Sequence, residues 1–261
     1  MPRYAEISLI NKNGETQTMT TSTYFVCTSL ILIEAIFIPL YLKKMWPTKN
    51  WHSLGYKMIC ASAYVILSAV VTNAADGINS YSLPMIIGFA ASWFGDLMLH
   101  IPKPTKVFFG FGMVFFAIAH IFYCLAYIGV QHTYFPSVRI ISAWEILTAV
   151  IIIAVFLTVC LIKKVSFGSM LVPCAVYGIF VSMMMIKSSL LSLRLLTEGV
   201  SGMTVPAVLL LIGGISFFLS DGSLALISFD TRYKKFRLKV FNIVTYFGAQ
   251  ICLALSILYF V

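Results

Sequence analysis

Charge is what this chain has least of. Only 10% of its 261 residues are Asp, Glu, Lys or Arg, and just nine are acidic. A soluble domain of this size cannot cover its surface with so few charges while 60% of it is hydrophobic and its mean hydropathy is +0.96. Metal-ligand spacing is also missing. Cys27, Cys60, Cys124, Cys160, Cys174 and Cys252 form no CxxC and all fall in apolar stretches. This excludes a zinc site or a disulfide framework and leaves packing as their reading. The first twenty residues are polar and lack the apolar core of a signal peptide. No basic face carries interleaved aromatics, so the net charge of +9 is not a nucleic-acid signature.

What the chain has is long apolar runs. Eight stretches of bilayer length, roughly 22–42, 55–73, 83–101, 107–128, 143–162, 169–191, 204–227 and 240–261, are joined by short loops. The sequence predicts an all-α polytopic membrane protein: a polar tail over 1–21, then eight transmembrane helices over 22–261. The basic residues sort by loop. Lys43, Lys44, Lys49, Lys103, Lys106, Lys163, Lys164, Arg232, Lys234, Lys235, Arg237 and Lys239 fall on one side; Arg3, Lys12, Arg139 and Arg194 fall on the other. The positive-inside rule makes the first set cytoplasmic and puts both termini outside. The run RYKKFRLK after the seventh stretch also suits anionic head groups.

Two acidic residues stand in membrane-grade sequence. Asp96 lies in GFAASWFGDLML and Asp221 in GGISFFLSDGSLAL. A carboxylate at that depth costs about 3 kcal/mol on insertion scales, so it marks a functional candidate. The surroundings echo each other at an offset of 125 residues: Gly88 and Gly213 precede the aspartates by eight, and Leu99 and Leu224 follow by three. The offset is four helices, which suits two parallel four-helix halves around a shared polar cavity.

Helical spacing gathers further polar residues on single faces: Gly88, Ser92, Gly95 and Asp96 in the third stretch, Gly112, Phe116, His120, Tyr123 and Tyr127 in the fourth. Gly213, Ser216, Ser220 and Asp221 follow in the seventh, and Asn242, Tyr246 and Gln250 in the eighth. At about 1.5 Å per residue, Lys57, Asp96, Tyr177, Asp221 and Tyr246 fall in one layer below the basic surface. Gln250 comes out slightly deeper, and His120 and Tyr123 past the midplane. Glu34 in the first stretch has no assigned role.

GDLML, AHIFY, FFLSDGSLAL and YFGAQICLAL together resemble the YhhN-like lysoplasmalogenase family of eight-helix membrane proteins. The resemblance covers about 52–258. The family pattern falls on Gly95–Asp96, on His120 with Tyr123, and on Gly214 with Phe218 (or Phe217) and Ser220–Asp221. It continues on Tyr246 with Gln250, with Lys57 in the second helix and Tyr177 in the sixth. Met58 stands where many members have proline. The resemblance implies hydrolysis of the vinyl ether of lysoplasmalogens to a fatty aldehyde and glycerophosphocholine or glycerophosphoethanolamine, with no metal or organic cofactor. Its substrate would be a lysophospholipid within the bilayer, and its location the endoplasmic reticulum membrane. The expected catalytic pair is Asp96 and Asp221, supported by Lys57, His120, Tyr123, Tyr177, Ser220, Tyr246 and Gln250.

Carbon protonation needs a dry acid, and low dielectric favours the neutral form of a carboxyl. A second carboxylate can orient water, as in glycoside cleavage. Which aspartate is the acid, the head-group preference and homo-oligomer formation stay open. The competing readings are a proton-coupled transporter and a lipid-binding scaffold.

Overall fold

The computed structural model describes residues 8–10, 16–18, 20–75, 77–102 and 105–260. Arg3, Lys12 and Lys103 of the topology argument lie outside the described residues. Among the described residues, eight helices are long and apolar enough to cross a membrane. They are α1 (Thr21–Met45), α2 (Trp51–Ala74), α3 (Ser82–His100), α4 (Lys106–Tyr134), α5 (Ala143–Ile162), α6 (Leu171–Thr197), α7 (Thr204–Phe229) and α8 (Phe236–Ser256). The protein is an all-α, multi-pass membrane protein. Two three-residue strands in the tail, Ser8–Ile10 and Thr16–Thr18, pair antiparallel with Leu9 opposite Gln17.

Side-chain caps fix several helix starts. Thr20 accepts from the Thr23 amide, Thr105 accepts from that of Phe108, and Asn50 with Ser53 closes a capping box. Four helices overrun the apolar runs. α2 and α8 each begin about four residues early, and α4 and α6 each end about six late. In the overrun of α4, Gln131 donates to the Arg139 carbonyl at 2.8 Å; further inside α6, Lys187 pairs with Glu145 of α5 at 2.9 Å. The early start of α8 moves Arg237 and Lys239 from loop to helix. Lys239 is buried there, a correction to its reading as a loop charge.

The packing repeats at an interval of four helices. α3 lies on α4 as α7 lies on α8, α2 on α3 as α6 on α7, and α8 on α2 as α4 on α6. Close seams depend on glycine. A Cβ on Gly95 would come within 2.6 Å of the Phe116 ring, and one on Gly213 within 2.7 Å of Leu253. The repeat breaks at one place. α1 packs on both α2 and α8, whereas α5 makes its one extensive contact with α6. A gap between α5 and the helices α4 and α7 is the result.

Candidate active site

Asp96, on the inward face of α3, is 1% exposed. Lys57 of α2 pairs with its Oδ1 at 2.8 Å. Two hydroxyls donate to Oδ2: Tyr64 of α2 at 3.0 Å and Tyr246 of α8 at 2.7 Å. Three donors and no acceptor face it, so its anionic form is the one with every hydrogen bond made. The chain continues outward. Gln250 donates to the Tyr246 oxygen at 3.0 Å, Tyr123 donates to the Gln250 carbonyl oxygen at 3.1 Å, and Ser92 lies 3.2 Å from Tyr123.

Asp221 occupies the equivalent place on α7 with a thinner shell. Tyr177 of α6 donates to its Oδ2, and His120 Nε2 of α4 stands 3.5 Å from that oxygen and 3.1 Å from the Tyr177 hydroxyl. The His120 ring packs against Phe217 at 4.8 Å, and Phe217 against Tyr246 at 5.4 Å. Phe217 is the ring at the centre of the site, while Phe218 faces an apolar slot. No lysine or arginine pairs with Asp221 among the described residues.

Three cavities meet at these residues. A chamber of about 40 Å³ is lined by Asp96, Asp221, Lys57, Tyr246 and Ser220 among others; it has room for water, which needs about 10–15 Å³. An apolar slot of about 70 Å³ fills the gap beside α5, between Ile153, Phe156, Leu157, Gly178 and Phe218, with Asp221 and Tyr177 in its wall. A vestibule of about 890 Å³ opens among the connections 46–49, 105–106, 166–168 and 230–234, all at the basic end. Leu99 and Leu224 border all three cavities. Asp221 therefore faces the slot on one side and the chamber on the other.

The two aspartates and the seven supporting candidates lie together here, with two adjustments, while Tyr127 turns to Met184 instead. His120 reaches Asp221 and is not beyond it. The 29 residues of α4 span about 43 Å against about 30 Å of hydrocarbon, so counting from the helix start overstated its depth. Ser220 lines the chamber, but its hydroxyl donates to the Asn242 carbonyl at 2.9 Å and accepts from the Asn242 amide. That ties α7 to α8.

Tyr64 was not among the sequence candidates, although it follows Lys57 by seven residues on the same face of α2. Also unforeseen is a serine–histidine contact: Ser53 Oγ to His100 Nε2 at 2.9 Å, with Tyr41 at 3.3 Å from Nδ1. The Ser53 hydroxyl donates to the Asn50 carbonyl at 2.8 Å, and the imidazole then donates to the serine. That polarity is the reverse of an activated nucleophile. Glu34 is buried at 1% exposure, and its Oε2 has no partner among the described residues.

Fold and site together define a class: an eight-helix membrane protein in which equivalent helices of two halves bring one carboxyl group each to a polar chamber. The sequence model of the YhhN family matches residues 53–257, and the chain belongs to that family. Comparison with curated proteins and with solved structures gives no match.

Proposed function

We propose that the protein is a lysoplasmalogenase, which hydrolyses the vinyl ether of single-chain plasmalogens in its membrane, the endoplasmic reticulum in a eukaryotic cell. Family membership is consistent with that activity. The observation that carries the reading is the placement of Asp221 where an apolar slot meets a two-carboxylate chamber. An enol ether joins an apolar chain to a polar glycerol, so its reacting bond belongs at such a junction.

Asp221 is the acid in this reading. Its carboxyl transfers a proton to the β-carbon of the alkene, leaving an oxocarbenium ion at the α-carbon. Asp96, held anionic by Lys57, Tyr64 and Tyr246, faces that cation and takes a proton from water as the water oxygen bonds to the α-carbon. The hemiacetal then collapses. Asp96 returns its proton to the departing glycerol oxygen, and the Asp221 carboxylate takes the hemiacetal hydroxyl proton. One water is consumed and both carboxyl groups are restored. Tyr177 and His120 orient Asp221. Tyr123, Gln250 and Tyr246 form a hydrogen-bonded wall that orients Asp96.

The test uses purified protein in detergent, where no gradient exists. Fatty aldehyde should be released from lysoplasmalogen. Intact plasmalogen should be far poorer, and the ester lysolipid should yield no fatty acid, because no activated nucleophile with an oxyanion hole is built among the described residues. Absence of aldehyde, with solute uptake in proteoliposomes driven by a proton gradient, would favour the transporter reading. Fatty acid from the ester would mean a different hydrolase.

A further inference from the structure

The neck between vestibule and chamber is walled by two lysines that form no salt bridge among the described residues. Lys49 and Lys239 line both cavities. The buried Lys239 donates to Asn242 Oδ1 at 2.8 Å, and Lys49 donates to the Leu99 carbonyl at 2.6 Å. Both acceptors are neutral. Lys234 lines the vestibule near enough to interact electrostatically with Lys49. The acidic groups of these cavities are committed elsewhere. Asp96 pairs with Lys57, Asp230 pairs with Arg232 at 2.5 Å, and Asp221 is held by Tyr177 and His120.

Burial first, and then the charges of Lys57 and Lys234, push the Lys49 ammonium down to about 8. Neither ammonium has an ion-pair partner among the described residues, and Asp96, whose charge reaches Lys239, is already paired with Lys57, so both are electrostatically incomplete. An anion at the neck would complete both. The neck also fixes the kind of anion. On one side is a vestibule of about 890 Å³, roomy enough for a polar head group. On the other are the aspartates and the apolar slot. A lipid phosphodiester, one negative charge with a polar group on one arm and a glycerol on the other, matches that sequence of environments.

We propose that Lys49 and Lys239, with Lys234 at the rim, form a binding site for the phosphodiester of a single-chain lipid and so set how far its glycerol descends toward Asp96 and Asp221. That this lipid is a substrate rests on the function proposed above; that its phosphodiester binds does not.

Equilibrium binding to the full-length protein in non-ionic detergent tests the site. The probes are a saturated 1-O-alkyl lysophosphoethanolamine, which has no vinyl ether to cleave, and the matching 1-O-alkylglycerol, which has no phosphate. The lysolipid should bind about tenfold or more tightly than the alkylglycerol, as charge-assisted hydrogen bonds imply. Lys239→Met and Lys49→Met should each remove most of that preference, and Lys239→Arg should restore much of it. Lys43→Met, an exposed lysine in the last turn of α1, should change nothing.

Lys49 lies in a connection, so its variant keeps the test decisive if Lys239→Met fails to fold. Glycerophosphoethanolamine should compete, weakly but with the same lysine dependence. Equal binding of the two lipids, or wild-type preference in both methionine variants, would overturn the proposal. So would inorganic phosphate competing as well as glycerophosphoethanolamine, because the neck would then hold free phosphate. Intact binding without aldehyde release would overturn the hydrolase reading and leave the phosphodiester site standing.

Discussion

Asp96 and Asp221 hold equivalent places on α3 and α7, yet their surroundings divide them. Asp96 meets an ammonium and two hydroxyls from α2 and α8. Asp221 meets one hydroxyl and an imidazole from α6 and α4 and borders an apolar slot. The helices supplying the partners correspond in the two halves, and α2 and α6 each give a tyrosine hydroxyl, Tyr64 and Tyr177. The halves diverge at Lys57, which has no counterpart beside Asp221 among the described residues, and at Tyr246 of α8 against His120 of α4. The same asymmetry shapes the scaffold. α1 closes the first half, while α5 stands off α4 and α7 and leaves the slot. A repeated pair of helices thus yields one aspartate fixed by an ion pair and one that borders an apolar slot. An acid and a base of the same residue type need that kind of difference in environment.

The comparison breaks first at Asp221. Asp221→Asn keeps shape but removes the acid. Aldehyde release should fall about 10²–10⁴-fold, while thermal stability and binding of the saturated ether lysolipid stay near wild type. A large loss of stability would show that Asp221 is held as tightly as Asp96.

Asp96→Asn should lose activity and stability together. It strands the Lys57 ammonium in the core, at about 3–5 kcal/mol, read as a drop in the detergent unfolding midpoint. Adding Lys57→Met should recover most of the midpoint and none of the activity. Failure to recover would mean that Asp96 stabilises through something other than its ion pair.

A smaller effect sharpens the Asp96 side. Tyr64→Phe removes one of its donors, which is worth about 1.5–3 kcal/mol for a hydrogen bond to a charged group. Turnover should fall about tenfold or more. A wild-type rate would leave Lys57 and Tyr246 sufficient to fix Asp96.

The architecture and most of the site were legible because the membrane makes polar residues conspicuous. Two aspartates, a histidine, three tyrosines and a glutamine at helical spacing in apolar runs have few alternatives to one shared interior. Tyr64 was missed because a tyrosine amid apolar residues also reads as packing, and only its i+7 relation to Lys57 points inward. Lys49 and Lys239 were hidden by their place in the charge pattern. Residues near a basic loop serve the topology rule whether they face water or a cavity, and the early start of α8 decides which. Lys187 and Glu145 escaped for a related reason: neither has an opposite charge in its own helix, and the pair exists only after α5 and α6 dock. The slot arises from how far α5 stands from its neighbours, and the vestibule from how the connections and helix ends at the basic side meet; no local pattern encodes either.

The central claim is that Asp221 protonates the β-carbon and that water, oriented by Asp96, attacks the α-carbon. It is tested most directly by isotopic labelling with purified protein and lysoplasmalogen in deuterated, ¹⁸O-enriched water, the aldehyde being trapped as it forms. One deuterium should appear on the carbon next to the carbonyl, with ¹⁸O in the aldehyde and none in the glycerophospho product, and Asp221→Asn should release aldehyde about 10²–10⁴-fold more slowly. Unlabelled carbon beside the carbonyl, or ¹⁸O in the glycerophospho product, would contradict it.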